Sequence, residues 1–328
     1  MTGEKKSKSL FTVIILLLLI LLLFAIFRIN FAPRENESRK HVSMIVYGDD
    51  PERWENLRQG AGLVCGEENA DLSLITMMTD NDTQEQKDII DREISDGADA
   101  LIIAACDSSA IKDHIKEKNI RIPISFVETV GEFMTPEKNV YCSVADDYKM
   151  GYELGQSLVE NESDIVTVAI ISENMHRDSV SLREQGLRDA IDGSVGRIIN
   201  WSRNEHEKYA DTRLFIQRAL VSEATDVIVT FDNPTTDALL DALTNLNASS
   251  RIYSISTSNK AVYNLHSEEI KVLAYPDEFS MGYLAAIYAL DSTEAWRKYR
   301  HTGVEYRLVR KENMYDEDNQ TLLFPFVN

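Results

Sequence analysis

The sequence predicts an α/β fold made of two doubly wound parallel-sheet lobes, preceded by one transmembrane helix. Apolar runs of strand length alternate with segments of helical period from His41 onward, and this alternation restarts near residue 165. Apolar strands that alternate with helices are typical of βαβ units, whose parallel sheet is buried on both faces. An uninterrupted apolar stretch near the N-terminus supplies the third observation, because it has the length of a membrane span.

Composition excludes several classes of function. The 328-residue chain is long enough for two domains, and it carries 54 acidic against 34 basic residues, a formal net charge of -20. Nucleic-acid binding requires clustered Lys and Arg, so we expect no nucleic-acid partner. Cys65, Cys106 and Cys142 share no CxxC spacing and no pattern with the histidines. We therefore expect neither a disulfide framework nor a metal site.

The apolar stretch is FTVIILLLLILLLFAIF, residues 11–27. A helix of about 17 to 25 residues spans a bilayer, so this length suffices. It exceeds the ~7–15 residues of a signal-peptide apolar region, and no A-x-A-like cleavage site follows it. The sequence therefore predicts a retained signal anchor in the cell membrane.

Flanking charges bear on the orientation of this anchor. A compact basic cluster lies in residues 1–10 and favours a cytoplasmic N-terminus, which places the large domain outside the cell. Four further basic residues follow the span in a polar tether, residues 28–40, so a bare count of Lys and Arg leaves both orientations open.

The first half of the predicted domain alternates strands and helices. Thr83 suits a helix start, because a small polar residue caps the helix and acidic residues follow in the early turns. The predicted strands are 41–47, 72–78, 100–105 and 122–127, and the predicted helices are 53–68, 83–97 and 109–118.

The second half repeats this pattern after a link, YCSVADDYKMGYELGQSL, that has the pattern of a strand crossing into a helix at Asp147. The chain ends with a short strand (272–275), a helix (278–290) and a C-terminal tail. The strands in between are 165–171, 197–201, 226–231 and 251–256, and the helices are 178–192, 206–222 and 234–245.

Enzyme motifs are missing from the sequence. It contains no GxGxxG fingerprint, no GxxxxGK[ST] phosphate loop, no HExxH and no GxSxG, and its six histidines are scattered. We therefore predict no catalytic residue, no cofactor and no metal. An enzyme built on unpatterned carboxylates stays open as a lesser alternative, because acid–base pairs have no fixed spacing.

Ligands of open α/β sheets bind beyond the carboxyl ends of the strands. Two sheet halves that face each other would put those strand ends on the two sides of one cleft. Glu128 follows directly after the predicted strand IPISFV, so we expect its carboxylate to lie at this cleft.

Seven segments occur in the order and spacing of a known family. They are NLRQGA, IPISFVE, VADDYKMGYELGQSL, SLREQGL, FDNPTTDALLDAL, IYSISTSN and AYPDEFSMG. With them the chain resembles the type I periplasmic sugar-binding proteins, such as ribose-binding protein, and the effector domains of lactose-repressor-like regulators, over nearly all of 41–290. The resemblance implies two lobes with a three-crossing hinge that close around a small ligand. The N-terminal lobe would comprise 41–145 plus 276–300, and the C-terminal lobe 146–275 plus 301–328.

The resemblance also implies ligand-binding roles for residues just past strand ends. Trp54 would stack on the apolar face of a sugar, with packing on its own lobe as the alternative. Glu128 would accept hydrogen bonds from two vicinal hydroxyls, although Thr129 follows where the family often has an Arg. Arg183, three residues before Gly186, would donate to hydroxyls or a carboxylate.

The remaining candidates are more aromatic and less polar than in an ordinary pentose binder. Asp49 matches a hydroxyl-binding position, with a turn cap as its alternative. Phe231-Asp232 replaces a common Asn-Asp pair. The predicted ligand-binding set is Asp49, Trp54, Glu128, Arg183, Trp201, Asp232, Ser256 and Tyr275, with Asp147 at the hinge, and we expect Arg177 and Arg188 to be solvated.

These features together predict a membrane-anchored extracytoplasmic protein that captures a sugar or sugar-like molecule by hinge closure. Its membrane partner would be an ABC-type permease or a sensor histidine kinase. A cytoplasmic DNA-binding regulator fits poorly, because a bilayer span stands where a helix-turn-helix would be.

Overall fold

The computed structural model describes residues 39–129, 139–162, 166–203, 211–290, 297–298 and 303–324. The predicted N-terminal segment 1–10, the anchor 11–27 and most of the tether 28–40 lie outside the described residues. Within the described ranges, no helix combines the length and apolar character needed to cross a membrane.

The described chain alternates strands and helices as predicted. Its strands are β1 (His41–Val46), β2 (Asp71–Thr76), β3 (Ala100–Ile103), β4 (Ile124–Val127), β5 (Val140–Ser143), β6 (Thr167–Ile171), β7 (Arg197–Trp201), β8 (Val227–Thr230), β9 (Arg251–Ile255), β10 (Ile270–Pro276) and β11 (Tyr306–Val309). Its α-helices are α1 (Glu55–Glu67), α2 (Thr83–Ser95), α3 (Ser108–Glu117), α4 (Asp147–Asn161), α5 (Asp178–Ile191), α6 (Thr212–Ser222), α7 (Asn233–Leu246), α8 (Asn259–His266), α9 (Glu278–Leu290) and α10 (Glu317–Leu323). A 3-10 turn, Glu52–Trp54, precedes α1.

The first sheet has the order β2-β1-β3-β4-β5 and is parallel throughout. Strands β3 and β4 are completely buried, as expected for parallel strands covered on both faces. Helix α9 belongs to this lobe although it comes late in the chain, because it packs on α1 and on β3, β4 and β5.

The second sheet has the order β11-β10-β9-β8-β6-β7. All its neighbouring strands are parallel except β10 and β11, which are antiparallel. The chain passes between the two sheets from β5 into α4, from β10 into α9, and from α9 to β11. An isolated bridge between Ala145 and Val304 brings the first and third passages side by side. The prediction of two parallel-sheet lobes is confirmed.

Helix boundaries differ slightly from the predicted ones. Asp82, not Thr83, caps α2, because its carboxylate accepts hydrogen bonds from the backbone N–H groups of Gln84 and Glu85. Helix α8 was not predicted; Ser258 caps it, and its eight residues are too few to show a clear period. Strand β11 and helix α10 lie in what the sequence marked only as a tail.

Two helices of the C-terminal lobe cross at a pair of glycines. A Cβ atom at Gly151 in α4 would lie 1.9 Å from the Arg183 carbonyl oxygen, and one at Gly186 in α5 would lie 2.0 Å from the Tyr148 carbonyl oxygen. The helix backbones therefore touch, and this contact fixes α5, which carries Arg183, against α4, which begins at Asp147.

The N-terminal lobe repeats this arrangement between α1 and α9. Gly60 lies against the Phe279 carbonyl oxygen and Gly282 against the Leu57 carbonyl oxygen, each at 2.0 Å from the position of a Cβ atom. The same close crossing thus holds a helix pair in each half of the molecule.

We expect Gly186→Ala to lower the free energy of unfolding by at least about 1–3 kcal/mol, the range for overpacking, because its methyl group would overlap a backbone carbonyl. Gly66→Ala is the matched control: it lies in α1 with open space around its Cα, so a gain of up to about 1 kcal/mol is expected from helix propensity. Urea unfolding followed by circular dichroism measures both. Equal effects of the two substitutions would contradict the close crossing.

Candidate functional site

Glu128 lies directly after β4, and both of its carboxylate oxygens are occupied. Oε2 accepts a hydrogen bond from the Tyr47 hydroxyl at 2.9 Å, and Oε1 accepts one from the Arg53 guanidinium at 3.1 Å. The residue is buried and its φ of 59° is in the left-handed region, which is uncommon for a residue with a side chain. Such backbone strain costs of order 1–3 kcal/mol and tends to occur at functional sites.

Arg53 connects this carboxylate to a second one. It comes from the 3-10 turn after β1, and its other terminal nitrogen donates to Glu278 Oε1 at 2.6 Å at the start of α9. Burial lowers the pKa of Arg53, but the nearby Glu278 and Glu128 carboxylates raise it by more, so the guanidinium remains charged. One cation thus holds together the end of β4 and the β10–α9 crossing.

Trp54 is packed inside its own lobe. It is 1% exposed, its indole nitrogen donates to the Tyr47 carbonyl at 3.1 Å, and its ring meets the Tyr47 ring edge-on. This is the packing alternative raised from the sequence. Asp49 is exposed in the turn after β1.

Asp232 follows β8 and caps α7. Its Oδ1 accepts from the Thr235 backbone N–H at 2.9 Å, and its Oδ2 accepts from the Asn174 side-chain amide at 2.7 Å. Ser256, after β9, donates to the Asn233 side-chain oxygen at 2.9 Å. Both side chains are buried beside the ends of the C-terminal strands.

Arg183 and Asp147 form a buried pair within the C-terminal lobe. Arg183 Nε donates to Asp147 Oδ1 at 2.7 Å, and its NH1 donates to the Phe231 carbonyl at 2.8 Å. Burial raises the pKa of Asp147 to about 6, and the Arg183 guanidinium opposes this rise. Arg183 therefore ties the first residue of α4 to the end of β8.

Trp201 and Tyr275 lie in different surroundings. Trp201 packs in the C-terminal core, and its indole nitrogen donates to Glu223 Oε2 at 2.9 Å beyond the end of α6. Tyr275 lies near the crossing from β10 into α9, with its hydroxyl 3.5 Å from the Thr257 carbonyl oxygen. The structure thus gathers Glu128 and Asp232 at strand ends, and it sets Trp201 apart from them.

Arg177 was expected to be solvated, and this expectation is wrong. The side chain is 0% exposed, and its guanidinium lies 3.6 Å from the centroid of the Tyr47 ring. Its NH2 donates to the Asp80 carbonyl at 3.3 Å and to the Asn81 side-chain oxygen at 3.1 Å. Arg177 precedes α5 in the C-terminal lobe, so these contacts reach across to the N-terminal lobe.

Other polar contacts join the lobes beside Arg177. Asn81 bonds to the Asn174 side chain at 3.2 Å and to His176 at 3.0 Å, and the Ser108 backbone N–H donates to the His176 carbonyl at 3.1 Å. The Ser108 hydroxyl in turn accepts from the Asp178 N–H at 2.9 Å. We call this region, residues 80–81, 108 and 174–178, the seam.

A cavity of about 640 Å³ opens between the lobes, next to Arg53 and Glu278. Its size is in the range of small-molecule sites, about 300–1,000 Å³. A neighbouring cavity of about 430 Å³ shares Asn56, Tyr275 and Glu278 with it. The larger cavity is lined from the N-terminal lobe by Arg53, Asn56 and Glu278 and from the C-terminal lobe by Asn233, Thr257 and Tyr275.

Sequence reasoning missed Tyr47, Arg53, Arg177 and Glu278. Each follows a strand within seven residues, which is the one signal that could have found them. A charge in a turn is normally solvated, so no pattern marked these as buried. Among the residues that the structure describes, no group of His, Cys, Asp and Glu could hold a metal ion.

A family model described as a periplasmic binding protein domain matches residues 42–293. No curated protein matches the sequence. Three of the similar solved structures indicate the fold, all at low identity.

GanP, a glucose-galactose binding protein from Geobacillus stearothermophilus, is 18% identical with a TM-score of 0.70, over 85% of this chain and 100% of its own. A carbohydrate transporter solute-binding protein from Agrobacterium radiobacter in complex with D-arabinose is 16% identical with a TM-score of 0.73, over 88% and 99%. A chain of the structure described as the XylFII-LytSN complex is 14% identical with a TM-score of 0.67, over 84% of this chain and 98% of its own.

We expect Arg183→Met and Asp147→Asn each to lower the free energy of unfolding by about 3–5 kcal/mol. The first leaves the buried Asp147 carboxylate without its cation, and the second leaves the buried Arg183 guanidinium without its carboxylate. The double variant should lose less than the sum, with a coupling energy of about 0.5–3 kcal/mol in a double-mutant cycle. The exposed pair Lys311–Glu268 is the control, and its coupling should stay below about 1 kcal/mol. Additive losses at Arg183 and Asp147 would refute this assignment.

Proposed function

Because the chain belongs to the periplasmic binding protein family, we propose that it captures a carbohydrate or carbohydrate-like molecule between its two lobes and presents the closed form to a membrane partner. The family model covers most of the chain. Two similar solved structures are a glucose-galactose binding protein and a solute-binding protein in complex with D-arabinose. The proposal needs no covalent chemistry, so we infer a binding protein and not an enzyme.

One observation carries this proposal: polar side chains of both lobes, among them Arg53, Glu278 and Asn233, line one cavity of about 640 Å³. Strand ends of open α/β sheets are where ligands bind. Polar groups of both lobes line the cavity, so a ligand held there contacts both and favours the closed arrangement over an open one.

Glu128 is the proposed acceptor for a ligand hydroxyl. Each of its oxygens accepts one hydrogen bond, from Tyr47 or from Arg53, and a carboxylate oxygen has room for a second. Asp232 and Ser256 are proposed for the same task from the C-terminal lobe, and Tyr275 supplies an aromatic wall to the cavity. For Trp54, Arg183 and Trp201 we propose structural roles, because their polar groups are bonded inside their own lobes; Asp49 remains a candidate at the exposed rim.

We further propose that residues 11–27 anchor the protein in the cell membrane with the binding lobes outside. The apolar length and the missing cleavage site support this. Resistance of the protein to alkaline extraction from membranes tests the anchor, and release by alkali would exclude it.

Two kinds of partner fit a membrane-anchored binding protein: an ABC-type permease, which takes up the ligand, or a sensor histidine kinase, which reports it. The retained anchor favours the sensor. The similarity to XylFII, whose structure was solved in a complex with LytSN, supports a binding protein that assembles with another protein.

We expect a sugar ligand to raise the melting temperature of the full-length protein in detergent. A ligand at a hundredfold excess over Kd adds about 2.7 kcal/mol to the free energy of unfolding. D-Arabinose, D-glucose and D-galactose start the panel, and Glu128→Gln should weaken binding by roughly tenfold or more through loss of a charge-assisted acceptor. Glu268→Gln is the matched control, since Glu268 also has a left-handed backbone but is exposed. The absence of any shift across a broad sugar panel would refute carbohydrate binding.

A strain that lacks the gene distinguishes the two partners. Loss of uptake of the radiolabelled ligand would identify a permease partner. We expect instead that uptake persists and that ligand-dependent transcription is lost, as a sensor partner requires. Restoring the wild-type gene should restore the response, whereas a gene with Glu128→Gln should restore it only at higher ligand concentration.

A further inference from the structure

Arg177 is a buried cation whose hydrogen-bonding capacity is only partly used. Its NH2 has acceptors on Asp80 and Asn81, but neither Nε nor NH1 has a hydrogen-bond partner among the described residues. The nearest carboxylate oxygen to NH1 is Asp232 Oδ2 at 3.5 Å, which is longer than a normal N–H···O hydrogen bond. Leaving a buried charged donor unpaired is costly, so native structures rarely do so without a functional reason.

The described carboxylates around Arg177 do not fill this gap, because none of their oxygens makes a hydrogen bond to Nε or NH1. Asp232 accepts from Asn174 and from the Thr235 N–H, and Glu128 accepts from Tyr47 and Arg53. An arginine side chain has no acceptor atom. What Arg177 lacks is therefore an acceptor oxygen from outside the described chain.

Two hydroxyl groups beside Arg177 are in the same situation. Thr129 and Ser179 are buried, and neither side-chain oxygen has a hydrogen-bond partner among the described residues. Both are linked to the seam, because the Ser108 hydroxyl donates to the Thr129 carbonyl and accepts from the Asp178 N–H, next to Ser179. The Arg177 nitrogens can only donate, and the two hydroxyls can donate as well as accept, so a ligand atom that accepts hydrogen bonds fits this part of the cleft.

From this pattern, and resting on the proposed function above, we propose that the ligand is a sugar bearing a carbonyl oxygen that accepts hydrogen bonds from Arg177 Nε and NH1. A carbonyl oxygen has two lone pairs and no proton of its own, so it matches a donor-rich corner better than a hydroxyl, which must also donate. The oxygen could belong to the acetamido group of an N-acetylated sugar or to the carboxylate of a sugar acid.

Charge favours the uncharged acetamido group over the carboxylate. The cations beside the cleft include the guanidinium groups of Arg53 and Arg177. Three carboxylates pair with them, on Glu128, Glu278 and Asp232, and Asp80 lies nearby. A further negative charge would enter a buried site that already has an excess of carboxylates.

Matched pairs of sugars test this proposal on the full-length protein in detergent. The pairs are N-acetyl-D-glucosamine with D-glucose, N-acetyl-D-galactosamine with D-galactose, and N-acetyl-D-mannosamine with D-mannose, and the corresponding hexuronates form the charged arm. Isothermal titration calorimetry should give a Kd roughly 10- to 100-fold lower for at least one N-acetylated sugar than for its parent, the range expected for a hydrogen bond to a charged group. If a hexuronate binds most tightly, the assignment of a carbonyl oxygen to Arg177 stands, but the choice of an uncharged acetamido group over a carboxylate is wrong.

The substitution Arg177→Lys assigns the preference to this residue. Lysine keeps the positive charge but lacks the guanidinium nitrogens, so the ratio of affinities between the N-acetylated and parent sugars should fall toward one. Arg213→Lys, at an exposed arginine, should leave the ratio unchanged. A purely structural role of Arg177 in joining the lobes would weaken both sugars equally and preserve the ratio.

The outcomes separate this inference from the proposed function. If parent sugars bind as tightly as their N-acetylated forms, or if Arg177→Lys keeps the preference, the assignment of a carbonyl oxygen to Arg177 is wrong while sugar binding stands. If no sugar in any arm binds, carbohydrate binding itself is wrong and the assignment falls with it.

Discussion

Buried charges at the ends of the strands must be paired, and this requirement organises the centre of the molecule. A single guanidinium, that of Arg53, contacts both Glu128 and Glu278. Removal of one member of such a buried group typically destabilises a protein by about 3–5 kcal/mol, because the others are left without a counter-charge. Glu128 ends a strand of the N-terminal sheet and Glu278 begins the helix reached by a crossing from the C-terminal sheet. The same ion pairs that satisfy the charges therefore hold one crossing in place beside the cleft.

The close helix crossings explain why such a network can be built reproducibly. In each lobe two helices touch backbone to backbone at glycines, so the two helices can shift little relative to each other. In the C-terminal lobe this fixes Arg183 against Asp147; in the N-terminal lobe it fixes α9, and with it Glu278, against α1. Side chains that must meet within hydrogen-bonding distance thereby lie on helices whose relative position is fixed.

The two parallel sheets could be predicted from the sequence because buried parallel strands such as ALII and ISFV are apolar at every position. Few other structures produce short segments that are apolar throughout. It also predicted that Glu128 and Asp232 follow strands, and both lie at strand ends. It could not predict Arg177 or Arg53. A charged residue in a turn is solvated in most proteins, and only the approach of a distant part of the chain buries it, as Asn81, 96 residues away, does for Arg177. Helix α8 was not predicted because its eight residues form only about two turns. Strand β11 in the C-terminal tail was not predicted because half of its residues are polar.

The family resemblance leads to the expectation of an arginine at Thr129, and the contacts of Glu128 show where its guanidinium partner comes from. The carboxylate of Glu128 still has a guanidinium partner, but Arg53 supplies it from the turn after β1 instead of the residue next in the chain. A second guanidinium enters from the other lobe through Arg177, which lies over the Tyr47 ring and leaves two nitrogens unbonded among the described residues. With the cations at these two positions, the Glu128 carboxylate after β4 keeps a guanidinium partner, and Arg177 has nitrogens at the seam that are free to donate hydrogen bonds. The cations of the cleft thus come from both lobes while the strand-end carboxylate keeps two hydrogen-bond donors, and the ligand proposed above is the partner that the unbonded nitrogens of Arg177 would take.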